Sequence, residues 1–297
     1  MLEKIESLMH AFVDEVDPLA TELYAKVPKG KRLRAKLVMK IAPRAQENAK
    51  LAAIIELIHA ASLLHDDVID EAVTRRGIAS LNATHGSKTA VMLGDILYSK
   101  AFSELSGFSP FIARTVSDAV SKLSAGELLD VAYSEALQLD EAKYFDMIYK
   151  KTAVLIEATA ASAAALAGKD TKAFGLYGKN LGLAFQIIDD VLDIVSDEAT
   201  LGKPALADFK EGKTTLPYIY LYESLSGQDR ERLVALYRKA LDAEETRWLK
   251  QKMLESGAVE KAVSYARNLG YEALEAIAHD RNDDLEKVIT DMIEREY

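Results

Sequence analysis

The sequence has no cysteine, only 6 prolines and only 7% aromatic residues among its 297 residues. Without cysteine, a disulfide framework and a thiolate-ligated metal site are excluded, so any metal must be held by oxygen or imidazole. Oxygen ligands favour a hard cation such as Mg²⁺. The chain also has no uninterrupted apolar run of the roughly 18 residues that a membrane-spanning helix requires. We therefore expect a cytoplasmic protein without a membrane span.

The net charge of -10 argues against general nucleic-acid binding, because an acidic surface repels a phosphate backbone. The positive charges are nevertheless concentrated in one place. Residues 26–44 contain eight Lys or Arg residues and no acidic residue. Such a run is often only the solvent-facing start of a basic helix, so the pattern alone does not assign it a function.

The organisation of the chain favours one large domain over 1–297, because no Pro/Gly/Ser-rich linker, low-complexity tract or internal repeat divides it. Strand signals are weak, with no Asn-Gly turn and few runs of alternating β-branched residues. Helical patterns with short polar breaks continue to the last residue, and Ser226 with Asp229 forms a capping-box pattern. We predict an all-α helical bundle.

Three long segments predict buried helices of this bundle. Pro43–Gly77 has no internal proline or glycine and is apolar on nearly every side, as expected of a central helix. The second segment is Pro110–Gly168, which is broken only by Gly126 and ends in small alanine-rich positions. The third contains LGLAFQIIDDVLDIV and is expected to stop at Gly202 and Pro204.

Two Asp-Asp-x-x-Asp motifs lie within these apolar segments. In the first, Asp66 and Asp70 are four residues apart and share one helix face, while Asp67 is turned about 100° away. The second repeats this spacing with Asp189, Asp190 and Asp193. A chain of this composition would contain about 0.1 such motifs by chance, so two are improbable.

Buried rows of carboxylates cost several kcal/mol per ion unless they are neutralised, and bound divalent cations are the obvious neutralisers. Mg²⁺ typically takes one or two carboxylates, and waters and substrate phosphates complete its ligand set. Two such rows facing each other would hold metal ions that bridge to a diphosphate. The alternative is two unrelated polar helix ends.

Basic residues flank both acidic motifs. Arg75 and Arg76 follow the first motif by about one turn, and a guanidinium group suits phosphate oxygens bidentately. A second cationic cluster in GKRLR is formed by Lys31, Arg32 and Arg34, and two further lysines, Lys203 and Lys213, follow the second motif. Two metal platforms with several cationic groups indicate two diphosphates, one held through metal and one by side chains alone.

His59 and Gln186 extend the acidic helix faces. His59 lies seven residues before Asp66, within about 20° of the same stripe, and Gln186 lies three residues before Asp189. A single histidine on an apolar helix is more often a core residue, so a purely structural role stays open. Their place on the two metal-bearing faces favours a functional role.

In chain order, the sequence contains GKRLR, HAASLLHDDVIDEAVTRRG, GDILYSKAF, SAGELLD, KTA, FQIIDDVLD and GKPALADFKEGKTTLP. With these motifs, from about Lys29 to Pro217, it resembles the trans-isoprenyl diphosphate synthase (polyprenyl synthetase) family. The resemblance implies a single helical bundle of the isoprenoid synthase type around a central cavity. It also implies a homodimer, Mg²⁺ as cofactor, and isopentenyl diphosphate and an allylic prenyl diphosphate as substrates.

The resemblance also implies roles for individual residues. The diphosphate of isopentenyl diphosphate would be held by Lys31, Arg34, His59 and Arg76. The allylic diphosphate would be contacted by Arg75, Lys203 and Lys213. The chief Mg²⁺ ligands would be Asp66, Asp70 and Asp189. The other three aspartates would either bind the metal as well or lie behind these ligands: Asp67, Asp190 and Asp193. The place where positive charge develops would be lined by Lys151, Thr152 and Gln186.

In this family the allylic diphosphate ionises, the isopentenyl double bond attacks the carbocation, and a proton passes to the departed diphosphate. Electrostatic stabilisation of the leaving group fits the residues found here, and no side-chain nucleophile is needed. The chain departs from the family's usual GGKRLRP, because Lys29 replaces the first glycine and Ala35 replaces the proline. Neither change removes a ligand, but the role of Arg32 becomes an open question.

Two small residues bear on product length. Ala61 and Ser62 stand five and four residues before Asp66, where family members line the tunnel for the growing tail and short-chain enzymes often carry an aromatic ring. The small side chains predict an all-trans product of hexaprenyl to octaprenyl length. A bulky residue deeper in the tunnel, on the DILYSKAF helix, would close it, so a short-chain farnesyl or geranylgeranyl synthase is the alternative.

Three other classes compete with this hypothesis. A terpene cyclase shares the helical class, but it usually keeps one Asp-Asp-x-x-Asp motif and lacks an isopentenyl diphosphate site. A non-catalytic subunit of a prenyl synthase has typically lost one or both aspartate motifs, and this chain keeps both. A plain helical binding module is the third, and incorporation of labelled isopentenyl diphosphate would exclude it.

Overall fold

The computed structural model describes residues 2–195 and 206–294, and these ranges are predominantly helical. The α-helices α1 to α16 are Leu2–Asp14, Pro18–Tyr24, Leu33–Ile41, Asn48–Ile69, Leu81–His85, Ser87–Leu105, Pro110–Ser134, Glu141–Ile148, Val154–Ala167, Thr171–Val195, Ala207–Lys210, Leu216–Ser224, Gly227–Leu236, Ala243–Glu255, Ala258–Ala276 and Asp283–Ile293. A π-helical turn, Tyr149–Ala153, joins α8 to α9, and a two-stranded hairpin, β1 Thr74–Arg75 with β2 Ile78–Ala79, follows α4. The predicted all-α class is confirmed. No described helix is long and apolar enough to cross a membrane.

The chain divides into two compact units. Unit 1 comprises Met1–Val120 with Ala158–Gly175, and unit 2 comprises Ser121–Glu157 with Leu176–Tyr297. The GKRLR segment and the first acidic motif belong to unit 1, whereas the KTA segment and the second acidic motif belong to unit 2. The single domain expected over the whole chain stays a prediction.

Helix α4 forms the core of unit 1, as its apolar sequence predicts. It packs against α1, α3 and α6, and its residues from Leu51 to Ile58 are almost fully buried. Burying one Leu or Ile side chain contributes about 1.5–3 kcal/mol, so this helix stabilises the unit and fixes the acidic motif at its C-terminal end. At the other end, Asn48 Nδ2 donates to the carbonyl oxygen of Ala42, 2.8 Å away, just after α3.

The weak strand signals of the sequence do not predict the hairpin after α4. Its two turn residues, Arg76 and Gly77, have φ values of 55° and 77°. Two consecutive positive φ values are the mark of a type I′ turn, whose twist matches the flanking strands and whose second position favours glycine. An Arg-Gly pair forms the turn here in place of Asn-Gly. The turn fixes the backbone from which Arg75 and Arg76 project.

In unit 2, two glycines allow close packing around the π-helical turn. A Cβ atom at Gly126 of α7 would lie 2.2 Å from the backbone N of Lys151, and one at Gly182 of α10 would lie 2.6 Å from Cα of Ala153. No side chain fits at either position, so glycine is required there. The predicted break at Gly126 is therefore wrong, because α7 runs through it and the helical segment breaks at residues 135–140 instead.

In the C-terminal part of unit 2, α12 packs on α15 and α15 packs on α16. Ser226 is the N-cap residue of α13, but its side chain makes no capping hydrogen bond, so the predicted capping box is wrong. Its expected partner Asp229 is instead paired with Lys252, with 2.6 Å between Oδ2 and Nζ. The helix end predicted at Gly202 and Pro204 lies outside the described residues.

Candidate active site

A pocket in unit 1 is formed by residues of α1, α2, α4, the hairpin and the segment that precedes α3. Its charged and ionisable lining residues are Glu6, His10, Tyr24, Lys29, Arg32, His59, Asp67, Arg75 and Arg76. Three residues that the sequence assigns to diphosphate binding therefore meet here: His59, Arg75 and Arg76. Basic side chains outnumber acidic ones in this lining, so the pocket suits an anion.

Arg34 is a half-buried cation within electrostatic reach of this pocket, although it is not among the residues that line it. Its Nε atom is buried and has no hydrogen-bond partner among the described residues. Burial lowers the pKa of Arg34, and the negative charge of Glu56 only partly opposes this. Burial also lowers the pKa of His59 well below its ordinary value, and the positive charges of Arg34 and Arg76 lower it further. An anionic ligand would supply the missing negative charge.

The two arginines of the hairpin have different partners. Arg75 donates from Nε to Oδ1 of Asp67 at 2.6 Å, and its Nη2 forms an ion pair with the same oxygen, also at 2.6 Å. Arg76 donates from Nη1 to the carbonyl oxygen of Pro28, 3.1 Å away, and a Cβ atom at Gly30 would lie 2.9 Å from the same Nη1. Arg75 is thus tied to the first acidic motif, and Arg76 packs on the backbone before α3.

Arg32 is held by two carboxylates. Glu6 accepts from its Nε at 2.5 Å and from its Nη2 at 3.1 Å, and Glu56 accepts from its Nη1 at 3.4 Å. Glu56, only 1% exposed, also accepts from the backbone N of Ala35 at 2.9 Å. Arg32 is the N-cap residue of α3 with a left-handed φ of 54°. These bonds indicate that Arg32 supports the backbone of this segment, whereas Lys31 is exposed.

The three aspartates of the first motif differ in exposure. Asp66 is half-buried and Asp70 is exposed, so both are accessible at the end of α4. Asp67 is only 4% exposed. Burial raises the pKa of Asp67, and the neighbouring Arg75 opposes this shift. The backbone carbonyl of Asp67 also accepts from Nδ2 of Asn82 at 3.0 Å, so this residue joins the hairpin and α5 to α4.

A second pocket, in unit 2, contains a chain of four hydrogen-bonded side chains. Thr152 Oγ1 donates to Oε1 of Gln186 at 2.7 Å, and Gln186 Nε2 donates to Oδ1 of Asp190 at 2.9 Å. The Tyr144 hydroxyl donates to Oδ2 of Asp190 at 2.6 Å. Burial raises the pKa of Asp190 well above its ordinary value, and the charge of Asp208 adds to this. These bonds fix the orientation of the Gln186 amide.

Lys151 lies in the same pocket, next to two acids. Its Nζ is 3.0 Å from Oε2 of Glu127, and it also donates to Oδ2 of Asp130. Burial by itself would lower the pKa of Lys151, but the two carboxylates outweigh it and raise the pKa above its ordinary value. Lys151 therefore stays charged. Lys213 also lines this pocket, with its Nζ 2.8 Å from Oε2 of Glu211.

The second acidic motif is divided between solvent and core. Asp189 is exposed, whereas Asp190 and Asp193 are 4% and 1% exposed. Asp193 Oδ2 accepts from the backbone N of Asp208 at 3.2 Å, and its carbonyl oxygen accepts from the N of Leu206 at 2.9 Å. Within the described ranges, no three His, Asp or Glu side chains form a ready-made metal site.

Residues 18–253 match the family model described as polyprenyl synthetase. The chain belongs to this family. It is 42% identical to a short chain isoprenyl diphosphate synthase of Methanothermobacter thermautotrophicus over 196 residues, which are 63% of this chain and 60% of the relative. It is 40% identical to octaprenyl diphosphate synthase of Escherichia coli over 200 residues, which are 64% of this chain and 62% of the relative. The matched part thus spans about three fifths of each relative.

Solved structures of the family show the same helical fold. The octaprenyl pyrophosphate synthase of Helicobacter pylori has a TM-score of 0.94 and 43% identity, with 99% of this chain and 98% of that chain covered. A polyprenyl synthase of Caulobacter crescentus, crystallised with calcium and isoprenyl diphosphate, has a TM-score of 0.91 and 30% identity, with 100% and 95% covered. The predicted isoprenoid synthase bundle is confirmed.

The remaining predicted site residues lie apart from both pockets or outside the described residues. Ala61 is fully buried and Ser62 is 5% exposed, and the Oγ of Ser62 donates to the carbonyl oxygen of His59 at 2.9 Å. Neither is among the residues that line the unit 1 pocket. Lys203 lies outside the described residues. The tunnel-lining role of Ala61 and Ser62 therefore stays a prediction.

Several polar residues that line the two pockets, or that bind residues lining them, were not predicted as site residues. In unit 1 these are Glu6 and Glu56, which hold Arg32, and in unit 2 they are Tyr144, Glu127, Asp130 and Asp208. Glu127 and Asp130 fall within the family motif SAGELLD, whose spacing of three residues places both on one helix face. That spacing was the available signal. Glu6 has no local signal, because its partner Arg32 lies far along the chain.

Proposed function

We propose that this chain is a Mg²⁺-dependent prenyltransferase that condenses isopentenyl diphosphate with an allylic prenyl diphosphate. The observation that carries the proposal is the surplus of positive charge at the unit 1 pocket. It is increased by the nearby Arg34, whose buried Nε has no hydrogen-bond partner among the described residues. A diphosphate offers the charge and the acceptor oxygens that such a group requires. Membership of the polyprenyl synthetase family supports a prenyl diphosphate as the ligand.

Isopentenyl diphosphate is assigned to the unit 1 pocket. Its proposed ligands are Lys31, Arg34, His59 and Arg76. Arg34 and Arg76 supply fixed positive charge. His59, whose pKa is lowered by burial, binds as a neutral imidazole that donates one hydrogen bond. Arg32 keeps the segment before α3 in its left-handed turn through Glu6, so it acts on the backbone and not on the diphosphate.

Mg²⁺ is assigned to the accessible aspartates of the two motifs, which are Asp66, Asp70 and Asp189. Their carboxylate oxygens are hard ligands of the kind that Mg²⁺ prefers. The buried aspartates Asp67, Asp190 and Asp193 already accept hydrogen bonds from the protein, so they orient the motifs. When bound, Mg²⁺ neutralises the charge that develops on the leaving diphosphate. The calcium and isoprenyl diphosphate in the Caulobacter crescentus crystal support this assignment.

The allylic diphosphate is assigned to Arg75, Lys203 and Lys213. Arg75 is already fixed by Asp67, and Lys213 lines the unit 2 pocket. In that pocket Thr152 and Gln186 present oxygen atoms held in place by hydrogen bonds, and such oriented dipoles stabilise a developing carbocation. Lys151 is paired with Asp130, so its charge does not oppose that carbocation strongly. The proton lost in the last step passes to the departed diphosphate, and no side-chain base is assigned.

The proposed product is an all-trans polyprenyl diphosphate of hexaprenyl to octaprenyl length. The small side chains of Ala61 and Ser62 support it, as do the relatives named octaprenyl diphosphate synthase. A short-chain farnesyl or geranylgeranyl product is the alternative, and the relative named short chain isoprenyl diphosphate synthase favours it. A homodimer and a cytoplasmic location are kept as predictions.

The test is chromatography of the products after incubation with Mg²⁺, labelled isopentenyl diphosphate and farnesyl diphosphate. We expect label in polyprenyl diphosphates longer than farnesyl and none when the metal is chelated. A cyclic hydrocarbon would indicate a terpene cyclase. No incorporation would contradict the proposal and favour a non-catalytic subunit. Ala61→Tyr should shorten the product of an otherwise active enzyme, and an unchanged product would remove Ala61 from the tunnel.

A further inference from the structure

Tyr237 follows α13, and its hydroxyl lies between two backbone carbonyl oxygens of unit 2. The hydroxyl oxygen is 2.5 Å from O of Gly212 and 3.2 Å from O of Ser134, the last residue of α7. A phenol has one proton to donate. The shorter of the two distances places this proton on the bond to Gly212, and Arg238 Nη1 donates to the Ser134 carbonyl at 3.0 Å. The Tyr237 proton is therefore available to Gly212.

This bond holds one edge of the peptide group between Gly212 and Lys213. The other edge is held as well, because the backbone N of Lys213 donates to O of Asp208 at 2.8 Å. A peptide group is planar, so hydrogen bonds at both edges fix the plane and the direction in which the Lys213 side chain leaves it. The Tyr237 ring is itself fixed by an edge contact with Phe209, with ring centroids 5.7 Å apart.

The backbone at Gly212 has little room to move. Its φ is 89°, and a Cβ atom there would lie 2.5 Å from O of Ser134 and 3.2 Å from Cγ and Cδ of Arg238. Only glycine fits both this dihedral angle and this space. The segment before Lys213 is thus pressed against the end of α7, with the Tyr237 hydroxyl bonded to its carbonyl.

We infer that Tyr237 is a positioning residue, which acts through the Gly212–Lys213 peptide group to place the Lys213 ammonium for the diphosphate of the allylic substrate. Lys213 lines the unit 2 pocket together with Lys151 and Thr152, whereas Tyr237 is not among the described lining residues. Tyr237 therefore acts through the backbone and not by touching the ligand. The hydrogen bonds from Tyr237 and to Asp208 that hold the Gly212–Lys213 peptide group are called the clamp below. The identity of the ligand rests on the proposed function, but the geometry of the clamp does not.

The test uses Tyr237→Phe, which removes the hydroxyl and keeps the ring against Phe209. Tyr177→Phe is the matched control, because the Tyr177 hydroxyl also donates to a backbone carbonyl of unit 2, that of Leu285, at 2.9 Å. Each variant loses one bond of the same type, so we expect a similar small decrease in melting temperature for both. A difference between them in the two measurements below is then specific to the clamp.

The first measurement needs no ligand. The acetylation rate of each lysine is measured by mass spectrometry after brief exposure to acetic anhydride. Loosening the clamp frees the Lys213 side chain, so we expect its rate to rise about threefold in Tyr237→Phe and to stay unchanged in Tyr177→Phe. Lys179 serves as an internal reference in every sample. An unchanged Lys213 rate in folded Tyr237→Phe would overturn the inference, whatever reaction the protein catalyses.

The second measurement is calorimetric titration with farnesyl diphosphate and Mg²⁺, without isopentenyl diphosphate, so that no condensation occurs. We expect Tyr237→Phe to raise the Kd about tenfold, since misplaced binding groups lose much of their effect. In a Lys213→Ala background, adding Tyr237→Phe should change the Kd less than about twofold, because the two residues act as one unit. Equal effects in both backgrounds would show that Tyr237 does not act through Lys213.

The proposed reaction and the clamp can fail separately. If no labelled product forms from isopentenyl diphosphate but the acetylation rate of Lys213 rises in Tyr237→Phe, the proposed reaction is rejected and the clamp is supported.

Discussion

The two pockets differ in how the charges of their basic side chains are balanced. In unit 1, the buried Nε of Arg34 has no partner among the described residues, and the charges of Arg34 and Arg76 lower the pKa of His59 beyond the decrease that burial causes. In unit 2, Lys151 is paired with Glu127 and Asp130. In the first arrangement basic side chains outnumber the carboxylates, whereas in the second two carboxylates surround one lysine. The difference indicates that a ligand, and not the fold, supplies the counter-charge in unit 1.

This contrast has an energetic meaning. Leaving a buried donor without a partner costs about 1–3 kcal/mol, and repulsion between neighbouring cations adds to that cost. Removing one partner of a buried ion pair costs about 3–5 kcal/mol, because it leaves the other charge uncompensated. Unit 1 therefore holds charges that destabilise the protein without ligand, whereas unit 2 holds charges that stabilise one another. The predictions below test this difference.

The largest effect is expected from the proposed metal ligands of the two acidic motifs. Asp66→Ala and Asp189→Ala should each lower kcat at least about 100-fold at saturating Mg²⁺, because each removes a charged oxygen that the metal requires. Asp118→Ala, on the exposed face of α7, is the matched control and should leave kcat unchanged. Near-normal turnover of the Asp66→Ala enzyme would show that the metal assignment is wrong.

The second prediction tests whether close backbone packing fixes the unit 2 pocket. Gly126→Ala places a Cβ atom 2.2 Å from the backbone N of Lys151, so we expect the free energy of unfolding in urea to fall by about 2 kcal/mol or more. In Gly107→Ala the new atom lies 3.5 Å from O of Glu104, an ordinary contact, so its effect should be under about 1 kcal/mol. Equal losses would mean that the packing at Gly126 is not special.

The third prediction separates the two hairpin arginines. Arg75 is bonded to the first acidic motif and Arg76 to Pro28, so Arg75→Ala should mainly raise the KM for the allylic substrate and Arg76→Ala that for isopentenyl diphosphate. Each change should be about tenfold or more, as for loss of a charge-assisted contact. If both variants raised both KM values equally, the assignment of the two arginines to different substrates would fail.

The smallest effect concerns pH. The pKa of His59 is lowered below its ordinary value of 6.5, chiefly by burial, so the unfolded chain binds a proton there before the folded protein does. The contribution of the neutral His59 side chain to the free energy of unfolding is therefore fully present above about pH 6.5, and it is lost as the pH falls below that value. Unfolding in urea at pH 7.5 and 5.5 should show a smaller decrease in His59→Gln than in the parent. The same decrease in both proteins would contradict the shift.

Much of the fold could be predicted from the sequence because the determining patterns are local. The apolar helix α4 and the repeated spacing of Asp66 and Asp189 are read from a few adjacent residues. The hairpin was missed because its turn uses Arg76 and Gly77, and the break assigned to Gly126 was wrong because glycine serves packing there. A glycine in a helix has the same local pattern whether it ends the helix or allows a close contact.

The site was predicted less completely than the fold. Charged residues near the acidic motifs were found, but their partners lie far along the chain, as Glu6 does from Arg32 and Tyr144 from Asp190. Sequence spacing also placed Asp189 and Asp193 on one face, whereas only Asp189 is exposed. Which aspartate binds metal and which supports the backbone depends on burial, and burial is set by the packed structure.

The central claim is that the positive charge at the unit 1 pocket is balanced only when an anionic ligand binds there. Its most direct test compares the free energy of unfolding in urea, without ligand, of Arg34→Met and Lys151→Met. Both changes replace a cation by an apolar side chain of similar length. We predict that Lys151→Met loses about 3 kcal/mol, because Glu127 and Asp130 are left uncompensated, and that Arg34→Met keeps or gains stability. A loss in Arg34→Met as large as that in Lys151→Met would contradict the account.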